Sequence, residues 1–322
     1  MRPGARARWL AVAAIGLAGA IAGCAARATP DAAAPRHDGA RARPVQRTVV
    51  VDGQPLALWE RRPPTPRGSI LLVHGRSWSS LPNFDLQVDG EDRSILGALA
   101  RAGYAAYALD MRGYGASPRD ATGWLTPRRA ADDVAAALDW IRAKEAAATA
   151  PVLVGYSRGS SVAMLTAQRH PGALSKMVLY GFPAEGAARA APSTEPAAPL
   201  RQPNTAAGAA SDFITPGSVS RAVVDAYVQQ ALASDPIHVD WKHEDEFVFE
   251  PASVRVPTLL LYGVGDSRAA SADVARFFTE LASPDRAWVV LPNADHAAHV
   301  EDAQARWLRA ILHFIEQPPR AR

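Results

Sequence analysis

PVLVGYSRGSS, residues 151–161, decides the fold. It opens as an unbroken apolar run, turns through Gly155, Ser157 and Gly159, and continues as a helical pattern. A strand that turns sharply into a helix exposes the serine hydroxyl at the bend, and glycines on either side leave room for the strained turn and for close helix packing. A chance pair of glycines around a helix-capping serine gives the same five letters, so the strand before and the helix after carry the reading.

Outward from this stretch the same rhythm recurs. The runs SILLVHG (69–75), YAAYALD (104–110), SKMVLYG (175–181), PTLLLYG (257–263) and RAWVVLP (286–292) are short and apolar, and end in turn residues. Helical patterns fall near 93–102, 127–146, 158–169, 271–282 and 302–316. Runs that are apolar on both faces suit a buried parallel sheet. Their alternation with helices predicts an α/β fold, a doubly wound and mostly parallel sheet, preceded by a hairpin formed by RTVVVDG and LALWE.

One interval breaks the alternation, an insertion at about 182–255. Its first part is low in complexity and cannot build a core. Its second part carries Val223, Val224, Tyr227, Leu232, Trp241, Phe247 and Phe249, which can bury apolar surface as helices. An insertion between two sheet strands lies over their carboxyl ends, where ligands bind in such sheets, so it is expected to be a lid with a mobile section.

A serine hydroxyl is a weak nucleophile unless a base takes its proton and a carboxylate orients that base. Asp266 follows PTLLLYG in the loop GVGDS, and His296 follows RAWVVLP in the loop NADHAAH. Both fall at carboxyl ends of expected strands, in the order serine, acid, histidine. Asp273, Asp295 and the carboxylates of the insertion are further candidates for the acid. His299, three residues on, is the rival base. Donors for a developing oxyanion are expected from the backbone N–H groups of Arg76, in HGRSWSS, and Arg158, at the helix start. His74 is expected to hydrogen-bond within its own loop, and Ser77 is placed to offer a hydroxyl. Trp78, Phe84, Tyr114, Trp124, Tyr156 and Trp241 divide between core packing and the lining of an apolar pocket.

The chain has 322 residues and is 48% hydrophobic, enough for one large domain with insertions. The formal charge is +3, but Arg2, Arg6 and Arg8 lie in the first 23 residues, and without them 32 basic side chains face 32 acidic ones. That balance excludes a polyanion-binding footprint, so no nucleic-acid partner is expected. Residues 1–23 read as an export signal, with a basic start and an apolar stretch from Trp9 to Ala22 that is too short to span a bilayer comfortably. Cys24, the only cysteine, cannot form an internal disulfide. Its context IAGC resembles a bacterial lipobox, which implies lipidation at Cys24, a flexible tether over 24–46 and residence on the cell envelope. An ordinary cleaved signal, giving a periplasmic or secreted protein, is the alternative. The catalytic domain is expected over 47–316, followed by a tail at 317–322.

Together VHGRSW, LDMRGYGAS, GYSRG, LLLYGVGD and LPNADHAAH resemble the successive signatures of the α/β-hydrolase superfamily, over roughly 47–316. The resemblance implies a serine esterase-like enzyme that acts on a small-molecule carboxylic ester or lactone through Ser157, His296 and Asp266, with no cofactor and no metal. It departs from the pattern twice. ADH replaces the glycine-histidine of many relatives, and Arg158 stands where many carry a smaller or apolar side chain, so its guanidinium can also sense a substrate carboxylate. An aspartate nucleophile, as in dehalogenases and epoxide hydrolases, is excluded by Ser157. Cofactor-free perhydrolase, aminopeptidase and lactonase chemistry use the same fold, and a non-catalytic envelope lipoprotein with a retained hydrolase shell is the reading from another class. Oligomeric state and acyl or alcohol preference are not encoded in these motifs.

Overall fold

In the computed structural model, residues 43–185 and 196–318 are described. The expected signal, Cys24, nearly all of the tether, residues 186–195 of the insertion and the last four residues of the tail lie outside them.

The chain opens with the hairpin β1 (Val45–Val51) and β2 (Gln54–Arg61), turned at Asp52 and Gly53, which both have positive φ. It begins slightly inside the expected tether. The core strands are β3 (Ser69–Val73), β6 (Ala105–Leu109), β7 (Val152–Tyr156), β8 (Lys176–Tyr180), β9 (Thr258–Gly263) and β10 (Arg286–Leu291). A small antiparallel pair, β4 (Leu86–Val88) and β5 (Glu91–Arg93), stands apart. The eight-stranded sheet runs β1-β2-β6-β3-β7-β8-β9-β10, with the hairpin antiparallel at one edge and β6 through β10 parallel.

Alternation along each strand sends side chains to two cores. Leu71, Val73, Leu153, Leu260 and Tyr262 face one core, closed by α3 (Pro127–Lys144), α4 (Arg158–Arg169) and α7 (Ala272–Glu280). Ile70, Leu72, Val154, Leu259 and Leu261 face the other, closed by α2 (Ile95–Arg101) and α8 (Gln304–Glu316). Ala130, Val134, Leu138 and Ile141 stripe α3, while Trp307, Ile311 and Ile315 stripe α8, each at helical spacing. Serine and threonine caps set the starts. The Thr126 side chain accepts from Arg129 N–H ahead of Pro127, and Ser94 accepts from Gly97 N–H.

β10 departs from the expected pattern. Its residues are half-buried or exposed apart from Leu291, because it forms the sheet's outer edge. The insertion also differs from expectation. Among its described residues the α-helices are α5 (Ala206–Ala210) and α6 (Arg221–Ser234), whereas Trp241 and Phe247 are buried, and Phe249 half-buried, from backbone outside them. Val223, Tyr227 and Ala231, one helical turn apart on α6, build a third apolar cluster with Trp78, Ala297 and Val300. That cluster seats α6 on the loops that follow β3 and β10. Among the described residues no helix is long and apolar enough to cross a membrane.

Candidate active site

Ser157 sits between β7 and α4 with φ 52° and ψ −118°, a conformation unfavourable for a residue with a Cβ. Such strain persists only where the surroundings over-determine it. Here Ser157 N–H donates to Tyr180 O at 2.8 Å, which ties the bend to the end of β8. A Cβ at Gly155 would lie 2.4 Å from Gly159 O, and one at Gly159 would lie 2.3 Å from Val73 O. Backbone meets backbone at both points, so only glycine lets α4 start so close to β7 and β3. Arg158 is the first helical residue, where main-chain N–H groups have no intrahelical acceptor.

The loops after β9 and β10 bring Asp266 and His296 together across the sheet end. His296 Nδ1 donates to Asp266 Oδ2 at 2.7 Å, which leaves Nε2 of a neutral ring as the acceptor. Asp266 Oδ1 accepts from Arg268 N–H at 3.0 Å, so both carboxylate oxygens are engaged. Burial pushes the Asp266 carboxyl up, but the His296 imidazole and the Arg268 N–H and guanidinium outweigh it and hold the group below its ordinary value. The orienting partner is therefore an anion at neutral pH. Beneath the ring lies Gly181, at φ 60°, where a Cβ would fall 2.6 Å from His296 Cε1. Tyr180 OH donates to His296 O at 2.6 Å and fixes the loop from below.

Two other histidines, His299 of the same loop and His74 of the loop after β3, are placed differently. His299 is fully buried, with Nε2 3.3 Å from Asn83 Oδ1 and no hydrogen-bond partner at Nδ1 among the described residues. Burial and the neighbouring His296 lower it to about 3, so it stays neutral and has no carboxylate to orient it. His74 accepts from Met111 N–H at 3.1 Å through Nε2, and its Nδ1 faces Gly75 O at 2.9 Å. Burial lowers it to about 4, and it braces the loop after β3.

Ser157 and His296 line one small cavity of about 70 Å³, together with Gly75, Arg76, Ser77, Trp78, Asn83, Tyr156 and Asp212. The loop that carries Arg76 thus faces the serine. Of the six aromatic candidates, Trp78 and Tyr156 line this cavity. Phe84 and Tyr114 are core, Trp241 packs in the lid, and Trp124 lies half-buried beside the Lys242 ammonium.

Gly181 and Asn83 have no local signal in the sequence, and Asp212 is covered there only as one of the insertion's carboxylates. Asp212, from the end of the α5 segment, is a lid carboxylate whose Oδ2 accepts from Tyr227 OH at 2.8 Å. Burial raises its carboxyl despite that bond. Asn83 donates through Nδ2 to Trp78 O and Ser79 O, at 3.0 and 2.8 Å, and shapes the loop on the opposite wall. Among the described residues no group of three or more His, Cys, Asp or Glu is arranged to hold a metal.

Comparison with known proteins agrees with this architecture. Residues 64–303 match the model of a family described as serine aminopeptidase, S33. No curated protein sequence matches significantly. Among solved structures the chain is similar to a hydrolase from Pseudomonas aeruginosa, at 23% identity over 84% of this chain and 98% of that one, with a TM-score of 0.63. It is also similar to the thioesterase domain from the curacin biosynthetic pathway, at 18% identity over 84% and 99%, TM-score 0.59. A Rhodococcus esterase matches at 20% identity over 85% and 99%, TM-score 0.57. These identities bear on the fold.

Proposed function

Because this chain belongs to the serine aminopeptidase S33 family within the α/β-hydrolase superfamily, we propose that it cleaves a small carboxylic ester, with Ser157 as nucleophile, His296 as base and Asp266 orienting the base. The observation that carries this is the His296–Asp266 hydrogen bond of 2.7 Å, made by a histidine that shares its cavity with the strained Ser157.

His296 Nε2 takes the Ser157 proton as Oγ attacks the ester carbonyl, and the Asp266 carboxylate stabilises the imidazolium that forms. The N–H groups of Arg76 and Arg158 donate hydrogen bonds to the negative charge that develops on the carbonyl oxygen. Collapse breaks the carbonyl–alkoxy bond, and His296 returns its proton to the departing alcohol. Water then attacks the acyl-enzyme, His296 takes a proton from it, and the acid leaves with Ser157 reprotonated.

One observation favours a second reading. Asp212 places a lid carboxylate in the same cavity, where it can pair with an amino group next to a scissile amide. A series of p-nitrophenyl esters set beside amino-acid p-nitroanilides separates the two. Turnover of esters that is abolished by Ser157→Ala supports the esterase; turnover confined to the anilides transfers the assignment to the peptidase; ester turnover untouched by Ser157→Ala removes Ser157 from the mechanism.

A further inference from the structure

Two guanidinium groups stand at the candidate site, one on each loop expected to supply an oxyanion donor. Both meet a single lid carboxylate. Arg76 Nη1 and Nη2 reach the two oxygens of Glu244 at 2.5 and 2.8 Å, and Arg158 Nη2 reaches Glu244 Oε2 at 2.7 Å. Two cations thus face one anion. The nearby Arg268 is already turned toward Asp266, and on the arginine pair itself a single carboxylate meets two guanidinium groups.

The Arg158 side of the cradle has packing of its own. The Arg158 guanidinium lies over the Phe247 and Trp241 rings, 4.8 and 5.9 Å from their centroids. Trp241 Nε1 donates to Tyr114 OH at 2.8 Å, and Tyr114 OH in turn donates to Arg76 O. Arg158 is therefore oriented by aromatic packing and the Arg76 main chain is anchored by Tyr114, while the Arg76 guanidinium is held by Glu244. Glu244 is held less firmly. It opens a single 3-10 turn, Glu244–Glu246, entered through His243 at φ 57°, a left-handed conformation that a residue with a Cβ rarely adopts. Its side chain is 32% exposed, and those of Arg76 and Arg158 are 39% and 22% exposed. Partly hydrated ion pairs of this kind exchange readily.

We propose that Arg76 and Arg158 form a recognition site for a free carboxylate on the substrate, which Glu244 fills as an internal stand-in until substrate displaces it. The paired nitrogens of Arg76 engage both oxygens of one planar carboxylate, the fork geometry that guanidinium offers such groups. Resting on the esterase reading, the preferred substrates are then half-esters of dicarboxylic acids, with the ester carbonyl at Ser157 and the free carboxylate on the arginine pair.

The test compares monomethyl glutarate with dimethyl glutarate in a pH-stat, using wild type, Arg76→Gln, Arg158→Gln and Glu244→Gln. Glutarate binding to the same four proteins is followed by calorimetry. The ratio of kcat/KM for the half-ester to that for the diester should fall by about tenfold or more in each arginine variant. It should rise in Glu244→Gln, through a lower KM for the half-ester. Glutarate affinity should move in the same directions. A ratio and a glutarate affinity that are equal in all four proteins would overturn the proposal, and would leave the Glu244 contacts as a simple lid clasp. If neither ester is turned over the esterase reading fails, and glutarate binding alone then decides the carboxylate site.

Discussion

Replacing Gly181 by alanine probes the site at the point where the fold leaves least room. The added Cβ would sit 2.6 Å from His296 Cε1 and 2.8 Å from Nδ1. Ordinary non-bonded carbon contacts begin near 3.5 Å, so the imidazole must retreat by about 0.9 Å or the turn must open. Retreat carries the ring away from Asp266 Oδ2, its partner at 2.7 Å. A misplacement of about 1 Å at a reacting group costs on the order of 10²-fold in rate. The left-handed backbone, at φ 60°, adds roughly 1 kcal/mol of strain for alanine relative to glycine. Gly181→Ala should therefore lose about two powers of ten in kcat/KM while remaining folded and only modestly less stable. Steady-state ester hydrolysis beside a thermal melt reads both quantities. Wild-type kcat/KM together with an unchanged melt would refute the idea that Gly181 exists to admit the His296 ring.

His296→Ala should lower kcat by several powers of ten, whereas His299→Ala should act mainly on stability; a matched pair of rate and melting measurements distinguishes them, and the reverse pattern would make His299 the base. Glu301, buried with Asp295 and bonded by Ser218 Oγ, is raised to about 8 by burial and by the Asp295 carboxylate, from an ordinary 4.5. Its folded-state value exceeds its unfolded one, so the stability it contributes is complete below about 4.5 and is lost as pH rises through about 8. The melting temperature of wild type should accordingly fall relative to Glu301→Gln between pH 5 and pH 8.5, and a constant gap would contradict a raised Glu301 carboxyl. Cys24→Ser should release the protein from the membrane fraction of a bacterial host if Cys24 carries a lipid anchor, and retention would leave another means of attachment.

How much of this was readable from sequence depended on how local the signal was. β3, β6, β7, β8 and β9 declare themselves because both faces are buried and, apart from Lys176 at the start of β8, every residue is apolar or small. β10 has the same composition but an open edge, and no residue within it reports that the neighbouring strand is missing. The five-residue helix α1 (Ser80–Phe84) and the β4–β5 pair escaped because neither is long enough to express a period. Trp241 and Phe247 suggested helix by composition, yet they are buried by contacts with α3, α4 and the arginine cradle rather than by a stripe of their own.

The site divides in the same way. Ser157, Asp266 and His296 each follow a recognisable strand, so sequence order alone placed them at one end of the sheet. The choice between His296 and His299 needed the side chains, since the two lie three residues apart and only one reaches a carboxylate. Gly181 reads in sequence as one more strand-ending glycine. Its partner is His296, far along the chain, and the contact exists only once β8 lies beside β9. Asp212 and Glu244 lie in the insertion, away from any strand-ending motif, and it is the packing of α6 through Val223 and Tyr227 that brings Asp212 into the cavity.

The most direct measurement is intact-mass labelling of the mature protein with a fluorophosphonate, run beside Ser157→Ala. An activated serine held as described takes up one adduct, which Ser157→Ala abolishes and His296→Ala slows. Folded wild-type protein that acquires no adduct, or an adduct that persists in Ser157→Ala, would contradict the assignment of Ser157 as the nucleophile.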